Sequence, residues 1–146
     1  MKHHFEGTAR FTGGYESHGT LETQNLTTDI SIPASMGGVE IGTNPDEMLL
    51  GAATTCFIIS LSVLFERNRI PLTDLKVESK ATVDQSKGVL TYESIDYIVT
   101  IQTDAPDSKH SLLRRFVRKA EESCMITRAL QGNVAVNITD IRINPS

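Results

Sequence analysis

The chain has 146 residues, a formal net charge of −4 and 39% hydrophobic residues, which suits one domain, 1–146, with a modest core. Its mildly acidic balance, with no block of like charge, excludes a basic nucleic-acid-binding face and a polybasic membrane anchor. Met1–Gly7 carries no apolar run, and the two cysteines then point to a reducing, cytoplasmic setting in which thiols stay free for chemistry.

Residues 3–12 predict a first strand, with Phe5, Ala9 and Phe11 sharing a face. Gly13-Gly14 marks a turn, and His18–Thr23 reads as the returning strand. Thr28–Ile32 alternates and stops at Pro33, giving a third strand. Residues 34–43, with Gly37, Gly38 and Gly42, read as a flexible loop and match no phosphate-binding fingerprint.

The stretch 44–69 carries the strongest signal. Asn44 is a good N-cap, Pro45 suits the first turn, and Asp46 and Glu47 complement the positive end of the helix dipole. Arg67 and Arg69 stand at the other end, before Ile70-Pro71 stops the helix. Apolar residues occupy every face between them, so the pattern predicts a helix buried all round. Met48–Phe65 is long enough to cross a bilayer, but its four hydroxyl residues and small side chains favour a core helix over a membrane span.

Leu75–Val83 alternates as a half-buried strand, 84–88 makes a hairpin connection, and Leu90–Thr103 returns as a second long strand. Asp107 and Ser108 are placed to cap a second helix to about Ser123, whose stripe is Leu112, Leu113, Phe116, Val117 and Ala120. Cys124–Leu130 continues it or opens a short new helix, and Val134–Ile143 alternates as a last strand. The order is β-β-β-α-β-β-α-(α)-β, an α+β domain. A single small sheet and one further helix leave a side of the all-apolar helix uncovered. The same helix of a second subunit is the simplest cover, with Gly51–Thr55 small enough for close approach, so a homodimer is expected.

Chemistry centres on two residues. A thiolate is the reactive form, and burial alone would keep Cys56 protonated; it needs a cation or helix N-terminal N–H groups nearby. Cys56 lies deep within its helix, whereas Cys124 has free N–H groups beside it if a helix begins there. By themselves the two fit inert filling as well as a reactive pair. His3, His4, His18 and His110 are scattered without ligand spacing, so neither a metal nor a cofactor is expected. Asp46 is, on its own, most simply a dipole-complementing residue.

Thr43-Asn44-Pro45-Asp46-Glu47-Met48-Leu49-Leu50-Gly51-Ala52-Ala53-Thr54-Thr55-Cys56-Phe57 resembles the signature leading into the central helix of the OsmC/Ohr superfamily. The segment from Ala120 to Val134, with Cys124, Ala129-Leu130 and Gly132-Asn133, resembles its second motif. This resemblance implies an OsmC-like fold of antiparallel sheets around a buried central helix in an intertwined dimer. It also implies a cysteine-based peroxidase acting on organic hydroperoxides or hydrogen peroxide. Cys56 would be the peroxidatic thiolate and Cys124 the resolving thiol, closing a Cys56–Cys124 disulfide that a dithiol reductant, a lipoyl protein or another thiol, reopens. Asp46 stands where one branch has a glutamate that orients an activating arginine, and joins the two cysteines as a candidate site residue.

Two departures accompany the match. The arginine expected after the first hairpin is replaced, since Gly13-Gly14 leads into Tyr15-Glu16-Ser17-His18; Arg10 and Arg128 are the nearest candidates by sequence. Met125 takes the place of the usual proline after the second cysteine. The missing arginine motivates a second reading, a dimeric non-enzymatic protein that binds a small lipophilic molecule or senses redox state.

Overall fold

Asn44 decides where the central helix begins. Its Oδ1 accepts the Glu47 N–H at 2.9 Å, and its Nδ2 donates to Glu47 Oε1 at 3.0 Å. This reciprocal cap satisfies a donor that the first helical turn leaves open, as the sequence predicts. The helix it starts, α1 (Pro45–Arg67), is 23 residues long. The computed structural model describes all 146 residues, Met1–Ser146, and the chain divides into two compact units, Met1–Met48 and Leu49–Ser146.

In the first unit β1 (Gly7–Phe11), β2 (Gly19–Thr23) and β3 (Thr27–Ile30) form an antiparallel sheet in that order. The segment after β3, expected to be flexible, is instead pinned along the chain that precedes it. Ser31 Oγ accepts the Ile41 N–H at 2.7 Å and donates to the Ile41 carbonyl at 2.8 Å, while the Thr43 N–H reaches Asp29 O at 2.9 Å. Two glycines make this close return possible. A Cβ on Gly38 would lie 1.9 Å from Ile32 O, and one on Gly42, at φ +71°, would lie 2.1 Å from Asp29 O. The buried residues of this unit are Ser31 and Asn44, both polar.

The second unit holds the apolar core. β4 (Asp74–Asp84) pairs antiparallel with β5 (Thr91–Gln102), as the period-two pattern predicts. α2 (His110–Ser123) and α3 (Met125–Leu130) then carry the chain back to β6 (Ala135–Asn144). β6 runs parallel to β5, which corrects the expectation of purely antiparallel sheets. The helical crossover is the reason: a hairpin turn forces reversal, whereas a long connection through helices returns the strand in its original direction. Asp107 and Ser108 do not cap α2 as expected: they lie in a short 3-10 turn, Asp107–Lys109, and the residue at the N-cap of α2 is Lys109, with no side-chain hydrogen bond.

Along β5 the alternate residues Ile95, Tyr97, Val99 and Ile101 are wholly buried. They meet Ala53, Phe57, Leu61 and Phe65, a four-residue repeat that puts one stripe of α1 against the sheet, with Leu113, Val117 and Ala120 of α2 completing the core. The Phe57 and Tyr97 rings sit 4.8 Å apart, and Thr54 Oγ1 hydrogen-bonds Ser79 Oγ of β4 at 2.9 Å. Burial of α1 stops at that stripe in the single chain: Ile59 is 62% exposed, and Gly51, Ala52, Thr55 and Ser62 are exposed as well. The open face is the one for which the sequence reading expects a second subunit. The physical limit is area, since a three-stranded sheet and one helix cover one side of a cylinder. By length and composition alone α1 is apolar enough to cross a membrane, yet this stripe packs against protein.

Candidate active site

The site forms where α1 passes the break between α2 and α3. α2 ends because the chain turns extended at Cys124 (φ −58°, ψ 126°), whose N–H still reaches back to Ala120 O at 3.0 Å. Cys124 then caps α3, its carbonyl accepting the Arg128 N–H at 2.9 Å. The N–H groups that open α3 have no acceptor within the helix, so they are free to bond something else. What they bond is sulfur. Ile126 and Met125 donate their main-chain N–H groups to the Cys56 thiol.

Cys56, half-buried on α1, also receives hydrogen bonds from the Cys124 thiol and from Ser60, one turn further along the same helix. Burial pushes the Cys56 thiol up. The bonds from Cys124, Ile126, Met125 and Ser60 outweigh that, and its pKa falls below the ordinary thiol value. The buried Cys124 moves the other way, raised first by burial and then by its bond to Cys56, with the Thr127 N–H partly opposing. The two neighbouring thiols are therefore displaced in opposite directions, Cys56 being the more acidic of the pair.

The structure thus brings together the two cysteines that lie 68 positions apart in the chain. Asp46 stays in the first turn of α1, ten residues before Cys56 and about 15 Å away by the helical rise, where it complements the helix dipole. Arg10 lies on β1 opposite Thr20, and Arg128 lines a small cleft with Glu121, Glu122 and Gln131. The bonds that lower Cys56 come from hydroxyl, thiol and main-chain donors. One of those donors exists because residue 125 is methionine, since a proline there has no N–H to give.

Four participants were not picked out from the sequence. Ser60 had a signal, the i, i+4 spacing from Cys56 on a helix. The Met125 and Ile126 amides had none, because a search for activating side chains passes over the main chain. Tyr97 carried only its strand pattern, yet its phenol is pushed up first by burial and then by Cys124, Glu121 and Cys56. Beside the thiols a cleft of about 400 Å³ opens between α1 and α2, walled by Ile59, Ser60, Val63, Leu64 and Ala120, with Arg67 and Lys119 also lining it.

Known proteins resemble this chain in sequence and fold. Residues 37–139 match the family described as OsmC-like protein. The chain is 46% identical to the Bacillus subtilis protein YmaD, covering 93% of this chain and 92% of that one. It is 26% identical to the organic hydroperoxide resistance protein of Xanthomonas axonopodis pv. citri, covering 90% of each. Among solved structures, an OsmC-like protein from Mycoplasma pneumoniae superposes with a TM-score of 0.79 over 99% of both chains at 15% identity, which is likeness of fold.

Proposed function

This chain belongs to the OsmC-like protein family, and from that premise we propose that it is a thiol-dependent peroxidase that reduces organic hydroperoxides or hydrogen peroxide. One observation carries the reading: Cys56 and Cys124 are hydrogen-bonded to each other, with Cys56 alone lowered toward the thiolate. Relatives named for organic hydroperoxide resistance support the substrate class.

In this reading the Cys56 thiolate attacks one peroxide oxygen. An S–O bond forms as the O–O bond breaks, sulfur becomes a sulfenic acid, and the departing alkoxide takes a proton and leaves as the alcohol. The Cys124 thiol then attacks the Cys56 sulfur, forming a disulfide and releasing water. A dithiol reductant, such as a lipoyl protein, reopens the disulfide by exchange. Retaining Cys124 as a thiol suits it to this second role. The apolar wall of Ile59, Val63 and Leu64 beside Ser60 suits the greasy part of an organic hydroperoxide.

We also propose that the working form is a cytoplasmic homodimer in which a second copy covers the exposed face of α1. The exposed Ile59 on a helix of this apolarity supports it. A stable monomer at micromolar concentration in size-exclusion light scattering would remove that part.

The activity is tested by following consumption of an organic hydroperoxide in the presence of a small dithiol. The parent chain should turn over, Cys56→Ser should abolish consumption, and Cys124→Ser should stall after one oxidation per chain when only a dithiol too bulky to reach the pocket is supplied. Consumption by the parent no faster than by Cys56→Ser would overturn the reading.

A further inference from the structure

Tyr97 is wholly buried on β5, and its Oη has no hydrogen-bond partner in the protein. Buried phenols nearly always find one, because an unpaired buried hydroxyl destabilises the fold. The ring is fixed: it packs at 32° against Phe57, the residue that follows Cys56, with centroids 4.8 Å apart. On the strand it stands between Ser79 of β4 and Ile138 of β6, facing the core. Cys124, Glu121, Cys56 and Tyr92 act on it electrostatically, so its hydroxyl lies in the neighbourhood of the thiol pair. It is a donor without an acceptor, on the residue whose ring packs against the neighbour of Cys56.

A donor in that position has a natural acceptor only once the reaction brings one. We propose that Tyr97 is a catalytic hydrogen-bond donor whose phenolic O–H bonds the peroxide oxygen that departs as Cys56 attacks. This inference rests on the peroxidase reading. As the Cys56 sulfur attacks, negative charge builds on the departing oxygen while the O–O bond breaks and the S–O bond forms. A fixed donor aimed at charge that develops during the step accelerates it, and does so most where water is excluded. Tyr97 gives a hydrogen bond and keeps its proton; the alkoxide is protonated from solvent. Burial, followed by the neighbouring Cys124, Glu121 and Cys56, pushes the phenol up, so it remains a donor throughout the range in which Cys56 is ionised. The role also accounts for the unpaired hydroxyl, since unsatisfied polar groups gather at sites where an incoming atom satisfies them.

Tyr97→Phe isolates the hydroxyl without emptying the core. The full-length parent and variant are mixed with cumene hydroperoxide, and the loss of alkylatable Cys56 is followed by quenching and peptide mass spectrometry. The expected result is a fall of at least about tenfold in the rate of Cys56 oxidation. Melting temperature should stay level or rise, because an unpaired buried hydroxyl has been removed, and the rate of Cys56 alkylation at pH 7 should stay level. Oxidation as fast in the variant as in the parent would overturn the proposal while leaving the peroxidase reading intact. A slower oxidation matched by a lower melting temperature or slower alkylation would assign Tyr97 to packing, and overturn it too. A parent whose Cys56 ignores the hydroperoxide would take both readings down together.

Discussion

The two units of this chain are stabilised by different means. Leu49–Ser146 encloses an apolar core in which α1, β5 and α2 contribute wholly buried Phe, Leu, Ile, Val and Tyr side chains. Met1–Met48 has well-formed strands, but its buried residues are Ser31 and Asn44, and Phe5 and Phe11 are exposed. Its order comes from main-chain pairing, from two polar side chains that close loops, and from glycines that permit close return. A three-stranded sheet without a dry face is not independently stable in water. The contrast teaches that strand pattern and core are separable: the first unit has the former and needs a covering surface to supply the latter.

The sharpest test of that contrast compares one side chain from each unit. Phe57→Ala removes a wholly buried ring from the second unit's core and should cost about 3–5 kcal/mol in chemical denaturation. Ser31→Ala removes two hydrogen bonds to Ile41 in the first unit and should cost about 1–3 kcal/mol, mostly for the main-chain groups left unpaired. Equal losses would break the distinction between an apolar and a polar unit.

A smaller effect is expected at the site. Met125→Pro restores the residue usual in the resembling motif, and the backbone tolerates it: residue 125 opens α3, and Cys124 is already extended at φ −58°, ψ 126°. The substitution removes one N–H bond to the Cys56 sulfur, so alkylation of Cys56 at pH 7 should slow by roughly tenfold, while Met125→Ala, which keeps the N–H, should not change it. Identical rates for the two variants would mean that this amide does not hold the thiolate.

The pH dependence follows from the opposite displacement of the two thiols. Alkylation of Cys56 should reach its half-maximal rate at lower pH than a free cysteine, and Cys124 at higher pH. Because the Cys56 pKa is depressed on folding, its ionisation contributes stability above the unfolded-state value, lost as pH falls through the folded one. Cys124, raised on folding, contributes below the unfolded-state value and loses that contribution as pH rises through its folded one. A single shared midpoint at the free-thiol value in the alkylation profile would contradict the assignment.

Much of this was legible in the chain. The cap at Asn44, the span of α1 and the β4–β5 hairpin follow from local rules of capping and periodicity, whereas the break at Cys124 is one of two readings the sequence leaves open. The direction of β6 does not follow from them, because it depends on how α2 and α3 carry the chain across the sheet. Nor does the covering of α1, since an apolar sequence states that a face avoids water without stating which surface meets it. At the site both cysteines were recognisable from their flanks. The donors around Cys56 were not, because Met125 and Ile126 act through main-chain groups that every non-proline residue possesses, and only the fold aims them at sulfur.

The central claim, that Cys56 and Cys124 work as one redox pair, is tested most directly by mapping the product of a single oxidation. The reduced chain is treated with one equivalent of an organic hydroperoxide, digested without reductant and analysed by mass spectrometry. The account predicts a Cys56–Cys124 linked peptide lighter by two hydrogens than the two thiol peptides together, formed at the expense of both free thiols. Two unmodified thiols, or Cys56 carried to sulfinic and sulfonic acids with Cys124 still free, would contradict it.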